Sequence, residues 1–368
     1  MPTQIEDAIR KTTQILQART PKAAVVLTLG HLAHLTDVPY PFLRGVVTRD
    51  KELDPYKVFA LRREHRGHGD RKRHICVPTP LLLRAQRWIH HNILIHASAH
   101  PSSKAYGKDC SISGAAAPHC QASWLIKLDI TNFFDSILEP AVYSAFLDLG
   151  YQPLVAFEMA RICTRLRPTG NVRRLKKGQH FAIPTYGNER FGHLPQGAPT
   201  SPILANLAAR DLDGAMSEIA QREGLRYTRY ADDMTLSFHG REFSRQRAMS
   251  VIGGCYEAML PFGLYPNRTK TRVIPPGARK LVLGLLVDGE QPRLTREFRD
   301  RMRMHLHFLE RLGPAQHAQA RGFDSVVGLQ NHLFGLAAFA IGVDPVWGKK
   351  VRRRLRGIDW PTPFVMPA

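Results

Sequence analysis

Cysteine is scarce in this chain and poorly placed for pairing: five residues, at positions 76, 110, 120, 163 and 255, with no C-x-x-C spacing and an odd count. That excludes a zinc module of familiar spacing and a disulfide framework, and a reducing cytoplasm is the simplest setting. Cys110, His119 and Cys120 lie close together, but without a second pair of ligands inert thiols are the expectation. No apolar run comes near the roughly 18 residues of a spanning helix. Arg10 and Lys11 lead into no signal-peptide core, so no membrane is expected as a partner. Internal repeats, low-complexity tracts and the G-x-S-x-G elbow of serine hydrolases are also missing. Acidic residues are few: 31 Asp and Glu stand against 52 Lys and Arg, giving a formal charge of +21. An excess of that size calls for a polyanionic partner, with nucleic acid first.

What is present is enough apolar material for a large protein. Of 368 residues 43% are hydrophobic, which allows more than one lobe. The first 60 residues read as helix, with Ile5, Ala8, Ile9, Ile15 and Leu16 at helical spacing. The stretch RREHRGHGDRKRH then breaks the pattern as a basic loop or hairpin. From Pro80 to Ile95 helical spacing returns, with Leu82, Leu83, Trp88, Ile89 and Ile93 facing a core and the arginines facing out. In WLIKLDITNFF, Leu125, Lys127 and Asp129 alternate with Ile126, Leu128 and Ile130, the period of a strand, and Asp129 falls near its end. A helix is expected after Pro140. A long basic, turn-rich connection follows, and then the helical run SPILANLAARDLDGAMSEIA. In LRYTRYADDMTLSF two β-prone arms flank Ala231, Asp232 and Asp233, a hairpin with the acidic pair at its tip. The last 80 or so residues read as mainly helical and close on the charge run KKVRRRLRG.

An isolated acidic pair in a turn is ordinarily a solvated hairpin tip. Here Asp129 offers a third carboxylate, and the three can converge if their two elements lie side by side in one sheet. Phosphoryl transfer to a nucleic-acid 3′ end needs such a cluster, because two magnesium ions about 3.5 to 4 Å apart must be held by hard oxygen ligands.

Three segments in order carry a family resemblance: LDITNFFDSI at Leu128 to Ile137, LPQGAPTSP at Leu194 to Pro202, and YADD at Tyr230 to Asp233. They resemble the motifs of reverse transcriptases, and the likeness runs from about Arg71 to about Phe308. Within that family QRWIHHNIL, at Gln86 to Leu94, is most similar to bacterial retron enzymes and their relatives in phage defence. The resemblance implies an α+β fold: a right-hand polymerase with fingers, an antiparallel-sheet palm and a short helical thumb. Its lobes would be residues 1–110 for the N-terminal helices and fingers, 111–285 for the palm with a fingers insertion at about 150–193, and 286–368 for the thumb and basic tail.

Carried over residue by residue, Asp129, Asp232 and Asp233 become ligands of two Mg2+ ions and part of the catalytic set. Lys270, in NRTKT, becomes the ammonium near the departing pyrophosphate. Phe134 falls where the family places an aromatic gate that leaves no room for a ribose 2′-hydroxyl, while Phe133 reads as core. Gln196 and Gly197 would form a backbone surface for template and incoming nucleotide. Arg71, Lys72 and Arg73 resemble the fingers segment that grips triphosphate, although a solvated basic loop reads the same way. Arg173, Arg174, Lys176 and Lys177, with Lys349, Lys350, Arg352, Arg353 and Arg354, have the composition of phosphate-tracking surfaces.

The implied partners are a structured non-coding RNA serving as template and primer, dNTPs, an RNA–DNA hybrid product and an associated effector protein. Two departures bear on the subgroup. Where retron enzymes carry NAxxH and VTG, this chain has AAAPH (Ala115 to His119) and VLG (Val282 to Gly284), so Ala115 and Leu283 replace Asn and Thr. A non-retron defence-associated reverse transcriptase and a catalytically silent RNA-binding scaffold therefore stay open beside the retron reading. A group II intron maturase would need more chain after Gly313, and no second acidic cluster suggests RNase H.

Overall fold

The computed structural model describes residues 4–50, 52–61, 73–166 and 191–361. Its first elements are helices α1 (Gln4–Arg19), α2 (Leu29–Thr36) and α3 (Tyr40–Thr48). They are separated by local chemistry: Thr28 caps α2 by accepting from the His31 N–H at 3.0 Å, and Asp37 and Arg49 end α2 and α3 in the left-handed region. The expectation of helix throughout the first 60 residues fails at strand β1 (Tyr56–Leu61), where YKVFAL supplies β-branched and aromatic residues after Pro55. β1 pairs antiparallel with β2 (Arg73–Pro78), in register from Tyr56 opposite Pro78 to Leu61 opposite Arg73. The expected basic hairpin thus has its two arms, while its tip, with Arg71 and Lys72, lies outside the described residues. Helix α4 (Pro80–Asn92) starts on a proline whose φ is preset for a first turn. It buries Leu82, Ala85, Gln86 and Ile89 and leaves Arg84 and Arg87 exposed.

A short helix α5 (Ile112–Ala116) leads into strand β3 (Trp124–Asp129). After it come α6 (Phe133–Ser136), α7 (Glu139–Asp148), α8 (Pro153–Cys163), α9 (Ser201–Ala208) and α10 (Arg210–Arg222). The hairpin β4 (Arg226–Tyr230) and β5 (Asp233–Phe238), helix α11 (Arg245–Met259) and strand β6 (Arg272–Ile274) complete this part. The strands form one antiparallel sheet in the order β4-β5-β3-β6. Both faces of β3 and β5 are largely covered, so Asp129 and Thr235 are buried along with Leu125, Ile126, Leu128, Met234 and Leu236.

The remainder is a small three-stranded sheet and a helical lobe. Strands β7 (Leu281–Val282), β8 (Leu285–Leu286) and β9 (Arg293–Leu294) precede α12 (Arg296–Ala320), α13 (Val326–Val343) and α14 (Pro345–Arg356). Gly313, at φ 75, kinks α12 just before Pro314. One hydrophobic core runs without interruption from Leu16 to Leu264, so the N-terminal helices and the sheet share it. A second core joins Val282 to Leu355 with Ala116, Cys120, Ala122 and Leu125 on the sheet side. The fold is α+β, as expected.

The expectation of no apolar run long enough to span a membrane is corrected by α13. It is 18 residues without a charge, long and apolar enough to cross a bilayer by length and composition. Gln330, Asn331 and His332 break the run to the eye while leaving its mean hydropathy high, and Leu329, Leu333, Ala337 and Ala340 pack into the second core.

Candidate active site

The site begins with strand register. Asp129 ends β3 directly opposite Asp233, which begins β5, and Asp233 in turn faces Tyr230 across the hairpin. Only Ala231 and Asp232 remain for the turn, and the Ile130 N–H donates to the Asp232 carbonyl at 3.0 Å, tying the turn to the end of β3. The three carboxylates are therefore carried by neighbouring strand ends, as the alternation in WLIKLDI and the two β-prone arms predict. Ala231 holds φ 56, a left-handed conformation that costs an L-residue about 1 kcal/mol or more.

That strained turn is held from beneath by Arg229, which is fully buried. Its guanidinium clamps Asp213 of α10 through Nε–Oδ1 at 2.8 Å and Nη2–Oδ2 at 2.6 Å. A third contact, Nη1 to the Ala231 carbonyl at 3.1 Å, reaches the turn itself, and the same nitrogen donates to Asn206 Oδ1 at 3.1 Å. Burial works against the cation, but the hydrogen bonds and charge of Asp213 outweigh it and raise the Arg229 pKa further. Sequence reading missed this pair. The available signal was the alternation of Tyr227 and Arg229 in RYTRY, which puts an arginine on a buried face and so demands a buried acid.

Asp129 is almost fully buried and accepts from Lys270 Nζ at 2.5 Å. The loop bearing Lys270 docks on the end of β3, where the Asn267 N–H donates to the Asp129 carbonyl at 2.7 Å. The side chain expected beside a departing pyrophosphate thus rests on a carboxylate of the triad. Burial, then the charge of Asp232, and less strongly that of Asp129, push the Asp233 pKa up, with Lys127 and Lys270 opposing. Among the described residues no three His, Cys, Asp or Glu side chains already stand together as a metal cage. The donor set nonetheless suits hard divalent cations: carboxylates at neighbouring strand ends, where the charges of Asp232 and Asp129 already disfavour that of Asp233 and a bound cation would relieve the repulsion.

A stability prediction follows from Asp233. A carboxyl whose folded pKa is raised contributes its stability below the ordinary value of 3.8 and loses it as pH rises through the raised value. In metal-free buffer at neutral pH the charged side chain therefore opposes folding, and Asp233→Asn is expected to melt higher than the unaltered protein. The gap should close as the pH falls to about 4, and added magnesium should stabilise only the unaltered protein; melting curves with EDTA and with magnesium check both.

Phe133 is buried and Phe134 half-buried. The Phe134 ring lies 5.6 Å from Phe133 and 6.4 Å from Tyr106, a residue sequence reading passed over. Gln196 is half-buried, and its carbonyl accepts from the Cys76 N–H of β2 at 2.6 Å. Gly197 holds φ +111, and a Cβ there would meet the Cys76 carbonyl oxygen at 2.9 Å. The close approach this glycine permits is to β2. Arg73 begins that strand.

Of the two basic surfaces, Arg173, Arg174, Lys176 and Lys177 lie outside the described residues. On α14 Lys349, Lys350 and Arg353 are exposed and Arg352 is half-buried, while Arg354 is engaged by Glu310 at 2.8 Å. His119 is no metal ligand candidate. It is buried between Ser237 Oγ at 2.7 Å and Thr228 Oγ1 at 2.8 Å, joining β5 to β4, and burial drives its pKa down to about 3.

The family described as reverse transcriptase (RNA-dependent DNA polymerase) matches residues 66–285. The retron Ec86 reverse transcriptase of Escherichia coli is 31% identical over 254 residues, which cover 69% of this chain and 70% of that one. The retron Mx162 reverse transcriptase of Myxococcus xanthus is 28% identical over 306 residues, 78% of this chain and 58% of that one. Among solved structures, telomerase from Candida albicans in complex with a fragment of telomeric RNA aligns with 82% of this chain and 56% of that one. Its TM-score is 0.42 at 10% identity.

Proposed function

The chain belongs to the reverse transcriptases, of the bacterial retron type, and is an RNA-directed DNA polymerase; we propose that it copies a bound, structured non-coding RNA into DNA with Asp129, Asp232 and Asp233 as its metal ligands. The observation that carries this reading is the register that sets Asp129 opposite Asp233, with Asp232 in the two-residue turn between β4 and β5. Two Mg2+ ions, when bound by these carboxylates, would activate the primer hydroxyl and neutralise charge on the triphosphate. The protein's own contribution is to hold the ligands on rigid strand ends, so that little reorganisation is needed at the moment of reaction. Lys270 would leave Asp129 as cations replace it, freeing an ammonium to donate a proton toward the leaving pyrophosphate. Arg73, together with Arg71 and Lys72, would meet the triphosphate, Gln196 and Gly197 would form the surface under the template and nucleotide, and the basic face of α14 would track phosphates. Residues 1–110, 111–285 and 286–368 would serve as fingers, palm and thumb.

At Phe134 the reading predicts sugar selection by exclusion. Phe134→Ala should raise the efficiency of ribonucleotide relative to deoxynucleotide incorporation by roughly 100-fold, the scale of a shape change in an apolar pocket. Single-nucleotide kinetics on a primed RNA template check it, and an unchanged ratio removes the gate.

Within the retron type the product would be single-stranded DNA joined to its RNA through a 2′-hydroxyl branch, made in the cytoplasm for defence against phage together with an effector protein. This part is supported by the retron relatives, and AAAPH and VLG are the features against it. The Ala115 carbonyl accepts from Thr228 Oγ1 at 3.2 Å, a contact any residue at 115 can make, so the missing asparagine does not disturb the sheet. Purification from the native locus with magnesium, followed by RNase and debranching treatment and sequencing of the bound nucleic acid, tests the proposal. A branched RNA–DNA molecule is expected. Unbranched DNA would move the protein to another defence-type group.

A further inference from the structure

The segment Ser102–Tyr106 lies along β4, the outer strand of the palm sheet, and is fastened to Arg229 of that strand and to Asn206 of α9. Arg229 N–H donates to the Ser102 carbonyl at 2.9 Å, and the Lys104 N–H returns a bond to the Arg229 carbonyl at 2.8 Å. The Arg229 guanidinium reaches Ser103 Oγ at 3.4 Å, and Asn206 Nδ2 donates to the Ala105 carbonyl at 2.7 Å. At the end of this strap the chain makes a three-residue turn. The Gly107 N–H donates to the Ala105 carbonyl at 2.8 Å, and Tyr106 between them holds φ 63.

A turn of this kind with a central residue at positive φ is rare, and for a bulky aromatic it is strained. Such strain persists where the surroundings over-determine it, and it concentrates at functional sites. The fastening just described supplies that determination. Glycine would fill the position without strain, so the ring is what the strain retains. That ring is 38% exposed, and it faces the candidate site: its centroid is 6.4 Å from Phe134 and 6.2 Å from Tyr230 of the YADD turn. Phe134 is thereby flanked by two rings, the buried Phe133 and the half-open Tyr106.

We propose that Tyr106 is a positioning residue for sugar discrimination, a lateral wall that holds the Phe134 ring where a ribose 2′-hydroxyl would have to sit. The inference rests on the reading of Phe134 as the gate and extends it. An aromatic side chain has two rotatable torsions, and a gate left free to turn about χ1 excludes nothing. Phe133 restrains Phe134 from the core side, and Tyr106 restrains it from the cleft. The contact needed is with the ring face and edge, which a phenylalanine at 106 would also supply.

The test compares Tyr106→Phe, Tyr106→Leu, Tyr106→Gly, Phe134→Ala and the double variant Tyr106→Gly/Phe134→Ala. All are made in the full chain and assayed with single dNTPs and matching rNTPs on a primed RNA template with magnesium. Tyr106→Gly removes the ring and also relieves the backbone, so a folded protein is expected; Tyr106→Leu keeps bulk without a plane. The ratio of kcat/KM for rNTP over dNTP should rise about 10-fold in the Gly and Leu variants and stay unchanged in Tyr106→Phe. In the double variant it should be no higher than in Phe134→Ala alone, because the tyrosine acts through the phenylalanine. A residue that merely stabilises the fold would lower both efficiencies together and leave their ratio unmoved. That result, alongside a raised ratio for Phe134→Ala, overturns the inference and spares the gate. An unmoved ratio for Phe134→Ala itself overturns the gate reading and this inference with it.

Discussion

Asp232→Asn is expected to reduce nucleotide incorporation by at least about 10³-fold while leaving RNA binding within about 2-fold. The first figure follows from the several kcal/mol that metal ions contribute to phosphoryl transfer at about 1.4 kcal/mol per factor of ten. The second follows from where the residue sits. Asp232 occupies a two-residue turn and offers its carbonyl to the Ile130 N–H, a backbone contact that asparagine preserves. The candidate phosphate-tracking residues Lys349, Lys350 and Arg353 are on α14, which packs Val351 and Leu355 into the second core and not into the core that holds the β4–β5 hairpin. The slope of binding against salt, which counts neutralised phosphates, should therefore be the same for both proteins. Incorporation at the level of the unaltered protein would sink the assignment of the metal ligands. Loss of RNA together with incorporation would indicate that the turn supports the fold rather than the chemistry, and a melting curve separates that case.

How much of this site is legible in sequence depends on whether its determinants are local. The period-two alternation from Leu125 to Ile130 is local, and it places Asp129 at a strand end. RYTRY and MTLSF are local as well, and together they fix a hairpin so tight that only Ala231 and Asp232 turn the chain. The helix over Pro80–Asn92 is announced by its first-turn proline and its apolar spacing. What escapes is set by partners distant in the chain or by backbone conformation. The ion pair of Asp213 with Arg229 depends on how α10 lies against β4. Tyr106 at φ 63 carries no Gly or Asn to announce a left-handed turn. Gly197 is recognisable as a point of close approach, but that the approach is to Cys76 of β2 depends on how the β1–β2 hairpin docks. Lys270 is legible as a lysine of the right motif, and its bond to Asp129 is not, because it arises from the docking of the Asn267 loop on β3.

The second large effect is expected at that buried ion pair, and the two partners should differ. Asp213→Asn leaves a guanidinium that cannot shed its proton in a fully buried site, surrounded by the neutral acceptors Asn206 Oδ1, Ser103 Oγ and the Ala231 carbonyl. Breaking a buried pair in this way costs about 3–5 kcal/mol. Arg229→Met should cost less, since Asp213 can take up a proton and still accepts from the Tyr227 hydroxyl at 2.9 Å. The combination Asp213→Leu/Arg229→Met removes both charges and should melt above Asp213→Asn, because apolar replacement of a buried pair is often neutral. Recovered stability should not bring back activity. Nothing in the double variant replaces the guanidinium at the Ala231 carbonyl, so the left-handed turn carrying Asp232 loses that support and is left with the bond from the Ile130 N–H. Misplacement of a reacting group by about 1 Å costs on the order of 10²-fold. Denaturant melts and incorporation rates on the same three proteins check the argument. A double variant as active as the unaltered protein would mean that the turn keeps its shape unaided, and would return Arg229 to a purely structural role.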